Sequence, residues 1–176
     1  MQDKELYQHL LGLTAPWTVS EVKLDMQSQE IHVKVEHPRG TKFGCPDCQK
    51  QLPCYDHGEE RQWRHLDSCQ FKTILKARVP RVDCPEHGVK SAAVPWAEPH
   101  SRFTMLFERF AIEVLQMTQT VKGAMSILRL QWDATWHIIE RAVARGKARK
   151  EPSLLPRIGI DEKAFAKGQS YVTIVY

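Results

Sequence analysis

Hydrophobic and polar residues alternate along the first hundred positions of the chain. Residues 21–25 and 30–36 alternate with a period of two, which predicts two β-strands joined by a short turn. Residues 61–66 and 71–79 alternate in the same way and predict two further strands. The leucines near the start of the chain predict a short helix that ends near Gly12. This region is therefore predicted to be rich in β-structure.

The period changes after Thr104. Phe107, Ala111 and Val114 recur at three- and four-residue steps, which predicts an amphipathic helix. A second, shorter helix is predicted over 118–130 and a third over 133–147. The third carries an apolar stripe that is expected to pack on the other two helices, formed by Trp132, Trp136, Ile139 and Val143.

Strand-like residues return at the end of the sequence. Residues 157–162 and 171–176 are typical of two strands joined by a turn at 167–169, and prolines bracket a linker before them. The fold class predicted from these patterns is α+β. The predicted divisions are an N-terminal β segment (1–39), a β-rich ribbon (40–98), a three-helix domain (99–150), a linker (151–157) and a β-hairpin (158–176).

Charge is distributed unevenly along the chain, whose formal net charge is +4. Residues 1–100 hold 13 Lys and Arg against 14 Asp and Glu, whereas residues 101–157 hold 10 against 5. The basic excess is therefore local and indicates one anion-binding segment.

The sequence disfavours a membrane protein and a secreted, disulfide-bonded protein. No apolar run approaches the roughly 18 residues of a membrane span, and the N-terminus lacks the layout of a signal peptide. Five cysteines, an odd number, suit a reducing cytoplasm better than a disulfide scaffold.

Two short motifs predict a metal site. Cys45-Pro-Asp-Cys48 and Cys84-Pro-Glu-His87 each place two soft ligands three residues apart, and together they supply the four ligands of a closed, structural zinc site. The alternative is a set of buried free thiols at chance spacing. Cys54 and Cys69 fall outside the pattern and are expected to pack as small apolar residues, although Cys54 competes as a ligand.

The second and third predicted helices, joined by a tight connection, are typical of a helix-turn-helix. Thr135 and His137 lie near the start of the third helix, where base edges are usually read. The residues predicted to contact phosphates are Arg141, Arg145, Lys147, Arg149 and Lys150. The alternative is a plain three-helix bundle with a solvated basic face.

The order of these motifs resembles the N-terminal part of an insertion-sequence transposase of the ISL-three family. The resemblance extends from about residue 40 to 176. It is carried by the two metal motifs, the predicted helix-turn-helix and the segments Tyr55-Asp56, Arg61-Gln-Trp-Arg-His-Leu66, Arg78-Val-Pro-Arg-Val-Asp-Cys84, Pro95-Trp-Ala97 and Ile158-Gly-Ile-Asp-Glu162. His87 stands where the family usually has cysteine, and histidine is an acceptable zinc ligand.

The resemblance implies a ribonuclease-H-like core in which two aspartates and a glutamate hold two magnesium ions. Asp161 matches the first aspartate, and Glu162 is implied to be its neighbour rather than a ligand. The alternative for Asp161 is an ordinary carboxylate at a strand end. Because the sequence ends at Tyr176, without the other two carboxylates, the chain is expected to be a truncated transposase that does not catalyse strand transfer, with magnesium bound only in a complete homologue.

Three functions remain open from the sequence. The first is the DNA-binding portion of a truncated transposase that recognises double-stranded DNA at terminal inverted repeats. The second is a small transposase-derived regulator, and the third is a zinc-stabilised protein-interaction module without a DNA role. Family analogy favours a homodimer and a cytoplasmic, nucleoid-associated location in a bacterium.

Overall fold

The structure, a computed structural model, describes residues 3–118, 120–151, 159–166 and 170–175. The chain forms two compact units, Met1–Ile139 and Glu140–Tyr176. In chain order the elements are α1 (Asp3–Leu10), β1 (Thr18–Asp25), β2 (Glu30–Glu36), β3 (Lys42–Gly44), β4 (Gln51–Arg64), β5 (Lys72–Cys84), β6 (Gly88–Ser91), α2 (Met105–Thr118), α3 (Val121–Leu128), α4 (Trp132–Arg149), β7 (Ile160–Ala166) and β8 (Ser170–Val175). The chain is therefore of mixed α and β structure, as predicted.

The strands of the first unit form one six-stranded sheet. Its order is β1-β2-β5-β4-β3, and β6 pairs with β5 beyond Pro80. The pairing of β2 with β5 is parallel and places Val33 beside Leu75, whereas the other pairs are antiparallel. The strands on either side of the predicted division at residue 40 thus belong to the same sheet.

One hydrophobic core lies against this sheet. Alternate residues of the central strand β5 point into it, including Leu75, which is fully buried. Trp96, from the proline-framed segment after the sheet, packs edge-on against Trp17 at 4.9 Å and against Trp63 at 5.5 Å between ring centroids. The tryptophans therefore tie together segments that precede, form and follow the sheet.

The three predicted helices are present as α2, α3 and α4. Thr120 caps α3 by accepting a hydrogen bond from the Gly123 backbone N–H, and Arg129 ends it in the left-handed conformation at a φ of 53°. A second core joins the helices, with Phe107 and Ala111 from α2 and Ile138 from α4 among its members. Among the described residues, no helix combines the length and hydrophobicity that a bilayer crossing requires.

The predicted apolar face of α4 was wrong. Of its four members, Trp132, Trp136 and Val143 are 51%, 45% and 49% exposed and Ile139 is half-buried, whereas Thr135 and Ile138 are fully buried. Both sets recur at helical steps, so the periodicity gives the spacing of a packing stripe without choosing between two neighbouring stripes.

A cluster of three charged side chains, Arg64, Asp67 and Arg129, joins the sheet to the helices within the first unit. Asp67 pairs with Arg64 at the end of β4 and with Arg129 in the connection between α3 and α4. The side chain of Arg64 is only 9% exposed, and its burial, together with the charge of Arg129, lowers its pKa to about 10. Arg64 therefore remains charged at neutral pH and requires its carboxylate partner.

We expect Asp67→Asn to lower the free energy of unfolding by about 1–3 kcal/mol, because it removes the carboxylate that is paired with the nearly buried Arg64 charge. Glu113→Gln is the matched control, since Glu113 pairs with Arg109 at the surface and its replacement should cost less than about 1 kcal/mol. Urea denaturation of both variants measures the difference. Equal losses in the two variants would argue against a role for Asp67 in joining the sheet and the helices.

The second unit contains the antiparallel pair β7–β8, in which Asp161 lies opposite Ile174. Both predicted strands are present, although β7 begins at Ile160 and continues to Ala166, beyond the predicted end at residue 162. The predicted linker falls almost wholly on residues 152–158 and the predicted turn on 167–169, and both lie outside the described residues.

Candidate metal centre and nucleic-acid interface

The four predicted metal ligands come from two turns. Cys45 and Cys48 lie between β3 and β4, in a turn closed by hydrogen bonds from the Cys45 N–H to Lys50 O and from the Gln49 N–H to Cys45 O. Cys84 ends β5, and His87 follows in the turn before β6. The long pairing of β4 with β5 brings the two turns together.

The ligand atoms of the four residues lie within 4.8 Å of one another. Cys48 Sγ is 3.7 Å from Cys84 Sγ, and His87 Nδ1 is 3.8 Å from Cys45 Sγ and 3.5 Å from Cys84 Sγ. Zinc bonds of about 2.3 Å to sulfur and 2.0–2.1 Å to nitrogen, in a tetrahedron, separate two sulfurs by about 3.8 Å and sulfur from nitrogen by about 3.6 Å. The arrangement therefore fits a tetrahedral zinc ion, and this Cys/His cluster indicates a structural zinc.

Electrostatics favour the metal-binding form of one ligand. The backbone N–H of Glu86, followed by the His87 side chain, lowers the pKa of Cys84 to about 6. The thiolate binds zinc, so the turn favours the charge state that the metal requires.

The two remaining cysteines differ from each other. Cys69 is exposed and does not pack as a small apolar residue, so that prediction was wrong. Its φ of 50° places it in a tight left-handed turn before β5, at the surface. Cys54 is half-buried and lies beside two histidines rather than among the four predicted ligands.

The predicted DNA-contacting residues of α4 occupy different environments. Thr135 is fully buried, and its hydroxyl donates a hydrogen bond to Gln131 O at 3.1 Å, so the prediction that it reads a base was wrong. A side chain enclosed by the helix core has no surface to offer to DNA. His137, two residues later, is exposed.

The basic residues lie in the second unit, towards the end of α4. Lys147, Arg149 and Lys150 are exposed, whereas Arg141 and Arg145 are half-buried. The first three are therefore the most accessible positive charges of this segment.

Sequence reasoning missed an aromatic pair at the start of α4. Trp132 and Trp136 stack with their ring planes 9° apart and their centroids 6.0 Å apart, and both are about half exposed. The i, i+4 spacing of two tryptophans was the available signal, but it was assigned to the core. Large aromatic surfaces at the start of such a helix suit contacts with bases.

Asp161 lies on the exposed strand β7, and its Oδ1 accepts a hydrogen bond from the backbone N–H of Glu162 at 2.8 Å. Within the ranges that the structure describes, Asp161 is not part of a group of three or more metal-ligating side chains.

Comparisons with known proteins concern most of the chain. Residues 41–87 match the family described as the zinc-finger of transposase IS204/IS1001/IS1096/IS1165, and residues 92–143 match the helix-turn-helix domain of transposase family ISL3. Transposases for insertion sequence element IS1557 from two Mycobacterium tuberculosis strains, CDC 1551 / Oshkosh and ATCC 25618 / H37Rv, are 29% identical over 181 aligned positions, which cover 99% of this chain. The chain spans about 40% of the length of these relatives. No solved structure matches it significantly.

Proposed function

We propose that this chain, which corresponds to the N-terminal part of an ISL3-type transposase, binds the terminal inverted repeats of an insertion element through its helix-turn-helix domain. The main support for the proposal is the exposed surface of α4. This helix presents aromatic and imidazole side chains at its start and basic side chains at its end. In a helix-turn-helix, the start of the second helix reads bases and flanking positive charges contact phosphates.

The base-reading residues of the proposal are His137, Trp132 and Trp136. His137 can donate to the purine N7 and O6 acceptors in the major groove, and the tryptophan rings can contact thymine methyl groups. The phosphate-contacting residues of the proposal are Arg141, Arg145, Lys147, Arg149 and Lys150.

In this proposal the zinc ion of the ribbon has a structural role. Cys45, Cys48, Cys84 and His87 fill its four positions, which leaves none for a reacting water, so the ion holds the turns of the ribbon together. The salt bridges among Arg64, Asp67 and Arg129 then connect the sheet to the helices.

Cleavage and joining of DNA are proposed for the whole enzyme. In the whole enzyme the β7–β8 hairpin would begin a ribonuclease-H-like core, and Asp161 would supply the first of the three metal-binding carboxylates of that core. A pair of magnesium ions in such a core stabilises the attacking and leaving oxygens of an in-line displacement. Pairing of two element ends is consistent with a homodimer.

The test compares a duplex that carries the element's terminal inverted repeat with a shuffled duplex of the same length, by fluorescence anisotropy over a salt series. We expect Lys147→Gln/Arg149→Gln/Lys150→Gln to weaken binding to both duplexes and to reduce the salt slope by up to about 2.7, or about 0.9 for each phosphate that is no longer neutralised. We expect His137→Ala to reduce the preference for the repeat by about 1–3 kcal/mol.

The matched control is Lys4→Gln/Lys23→Gln/Lys42→Gln, which removes the same charge from exposed positions outside α4. Its salt slope should equal that of the unaltered chain. Equal affinity for repeat and shuffled duplexes would contradict recognition of element ends, and an unchanged slope in the α4 variant would favour a protein-interaction module.

A further inference from the structure

A second group of metal-ligating side chains lies in the first unit, away from the four ligands of the ribbon. It consists of His37, directly after β2, and Cys54 and His57 on β4, and its ligand atoms lie within 4.8 Å of one another. Imidazole and thiolate groups are the ligands that zinc prefers. The Cys-x-x-His spacing of Cys54 and His57 is the same as that of Cys84 and His87 in the ribbon.

An irregularity in β4 brings the two β4 residues together. In a regular strand, residues three apart point to opposite faces of the sheet. The pairing of β4 with β5 shifts register between Cys54 and Asp56, and again between His57 and Glu60. The first shift allows Cys54 and His57 to face the same side, and Cys54 Sγ lies 3.8 Å from His57 Nε2. Bulges of this kind re-aim side chains near functional sites.

The ring of His37 is held in a ligand-like state. Its Nδ1 lies 3.0 Å from Pro38 O, which can only accept, so the neutral ring carries its proton on this nitrogen and its lone pair on Nε2. Trp17 and Phe43 pack edge-on against the ring, with centroids at 5.3 Å and 4.7 Å. A backbone acceptor on one ring nitrogen is the usual way in which a protein orients a metal-binding histidine.

Nε2 of His37 lies 2.9 Å from Nε2 of His57, with the ring centroids 5.1 Å apart and the planes 19° apart. The direction from the ring centroid to Nε2 in each histidine therefore points at the other ring. One proton lies between the two nitrogens in the metal-free protein. On a tetrahedral zinc ion two imidazole nitrogens lie about 3.3 Å apart, and their rings point to the ion at about 109° to each other rather than head-on. Replacement of that proton by an ion therefore requires the nitrogens to separate by about 0.4 Å and one ring to turn, for which the exposed ring of His57 has room.

We propose that His37, Cys54 and His57 form a second zinc site with three protein ligands and an open fourth position. A cavity of about 190 Å³ adjoins the histidines and is also lined by Lys34, Glu36 and Arg78. Lys34 pairs with Glu36 at 2.7 Å, which leaves Arg78 as a positive neighbour of the cavity. The fourth ligand is therefore water or a small anion.

The test is zinc content after equilibration of the full chain at a fixed, buffered free zinc concentration. We expect two ions per chain, one for each ligand group, and one ion per chain in His37→Gln and in His57→Gln. His9→Gln is the matched control, because His9 is an exposed histidine on α1, and it should keep two ions. Retention of the ribbon ion in the variants also shows that the sheet is folded.

Cobalt substitution gives a second readout. The two groups contain four thiolates, three in the ribbon and one at Cys54, so Cys54→Ser should lose the thiolate-to-cobalt charge-transfer intensity of one thiolate in four. One ion per chain in the unaltered protein would overturn the proposal and leave the histidines as a proton-sharing pair. Two ions retained in both histidine variants would overturn it as well, because the second ion would then lie elsewhere.

Discussion

Replacement of Cys84 by serine is expected to unfold the six-stranded sheet. Cys84 is 1% exposed and ends β5, the central strand that pairs with β2, β4 and β6. A serine hydroxyl is a poor zinc ligand, and structural zinc contributes about 10–16 kcal/mol of apparent free energy in zinc-finger peptides. That exceeds or matches the roughly 5–15 kcal/mol by which most domains are stable, so losing the ion should abolish the fold of the sheet.

The loss should extend beyond the ribbon itself. Because β1 and β2 share the sheet and the core with β4 and β5, removal of zinc by a chelator or by Cys84→Ser should also release the N-terminal hairpin. Trp17, Trp63 and Trp96 report this event, since all three are buried in the sheet core and their fluorescence should shift to the red.

Cys69→Ser is the matched control for Cys84→Ser. Cys69 is exposed and is not among the ligating groups, so its replacement should keep the metal content and the tryptophan spectrum. A Cys84→Ser protein that lost one zinc ion yet kept its buried tryptophans would show that the sheet core, rather than the metal, stabilises this unit.

Replacement of Ile138 by alanine is expected to detach α4 from the other helices. Ile138 is fully buried in the helix core, and truncation of a buried isoleucine to alanine costs about 2–5 kcal/mol. Because α4 carries the proposed DNA-contacting residues, affinity for the repeat duplex should fall with stability. Zinc content should stay unchanged, since the four ligands of the ribbon lie in the sheet.

Ile127→Ala is the matched control for Ile138→Ala. Ile127 lies on α3 and is 59% exposed, so the same truncation should cost less than about 1 kcal/mol and leave DNA affinity unaltered. Urea denaturation and anisotropy titration of both variants give the comparison. A loss below about 1 kcal/mol in Ile138→Ala would contradict the packing of α4 through this residue.

Local patterns in the sequence determined much of the architecture. The alternation around residues 21–36 predicted β1 and β2, and the three-and-four spacing after Thr104 predicted α2. The spacing within each Cys-x-x-Cys or Cys-x-x-His motif likewise predicted that two ligands of one turn could share an ion. All of these depend on backbone geometry within a few residues, which a local pattern records directly.

Tertiary structure decided what local patterns could not. The choice of Thr135 and Ile138 over the tryptophans as the buried face of α4 depends on packing against α2 and α3, which are distant in sequence. The parallel pairing of β2 with β5 joins strands about forty residues apart, and the grouping of His37 with Cys54 and His57 follows from that sheet and from a register shift in β4. The sequence by itself determined the elements and the ligand spacing of this protein. Which faces meet was decided by the free energy of packing the whole unit, because a periodic pattern shows that an element has a packing face but not which distant element covers it.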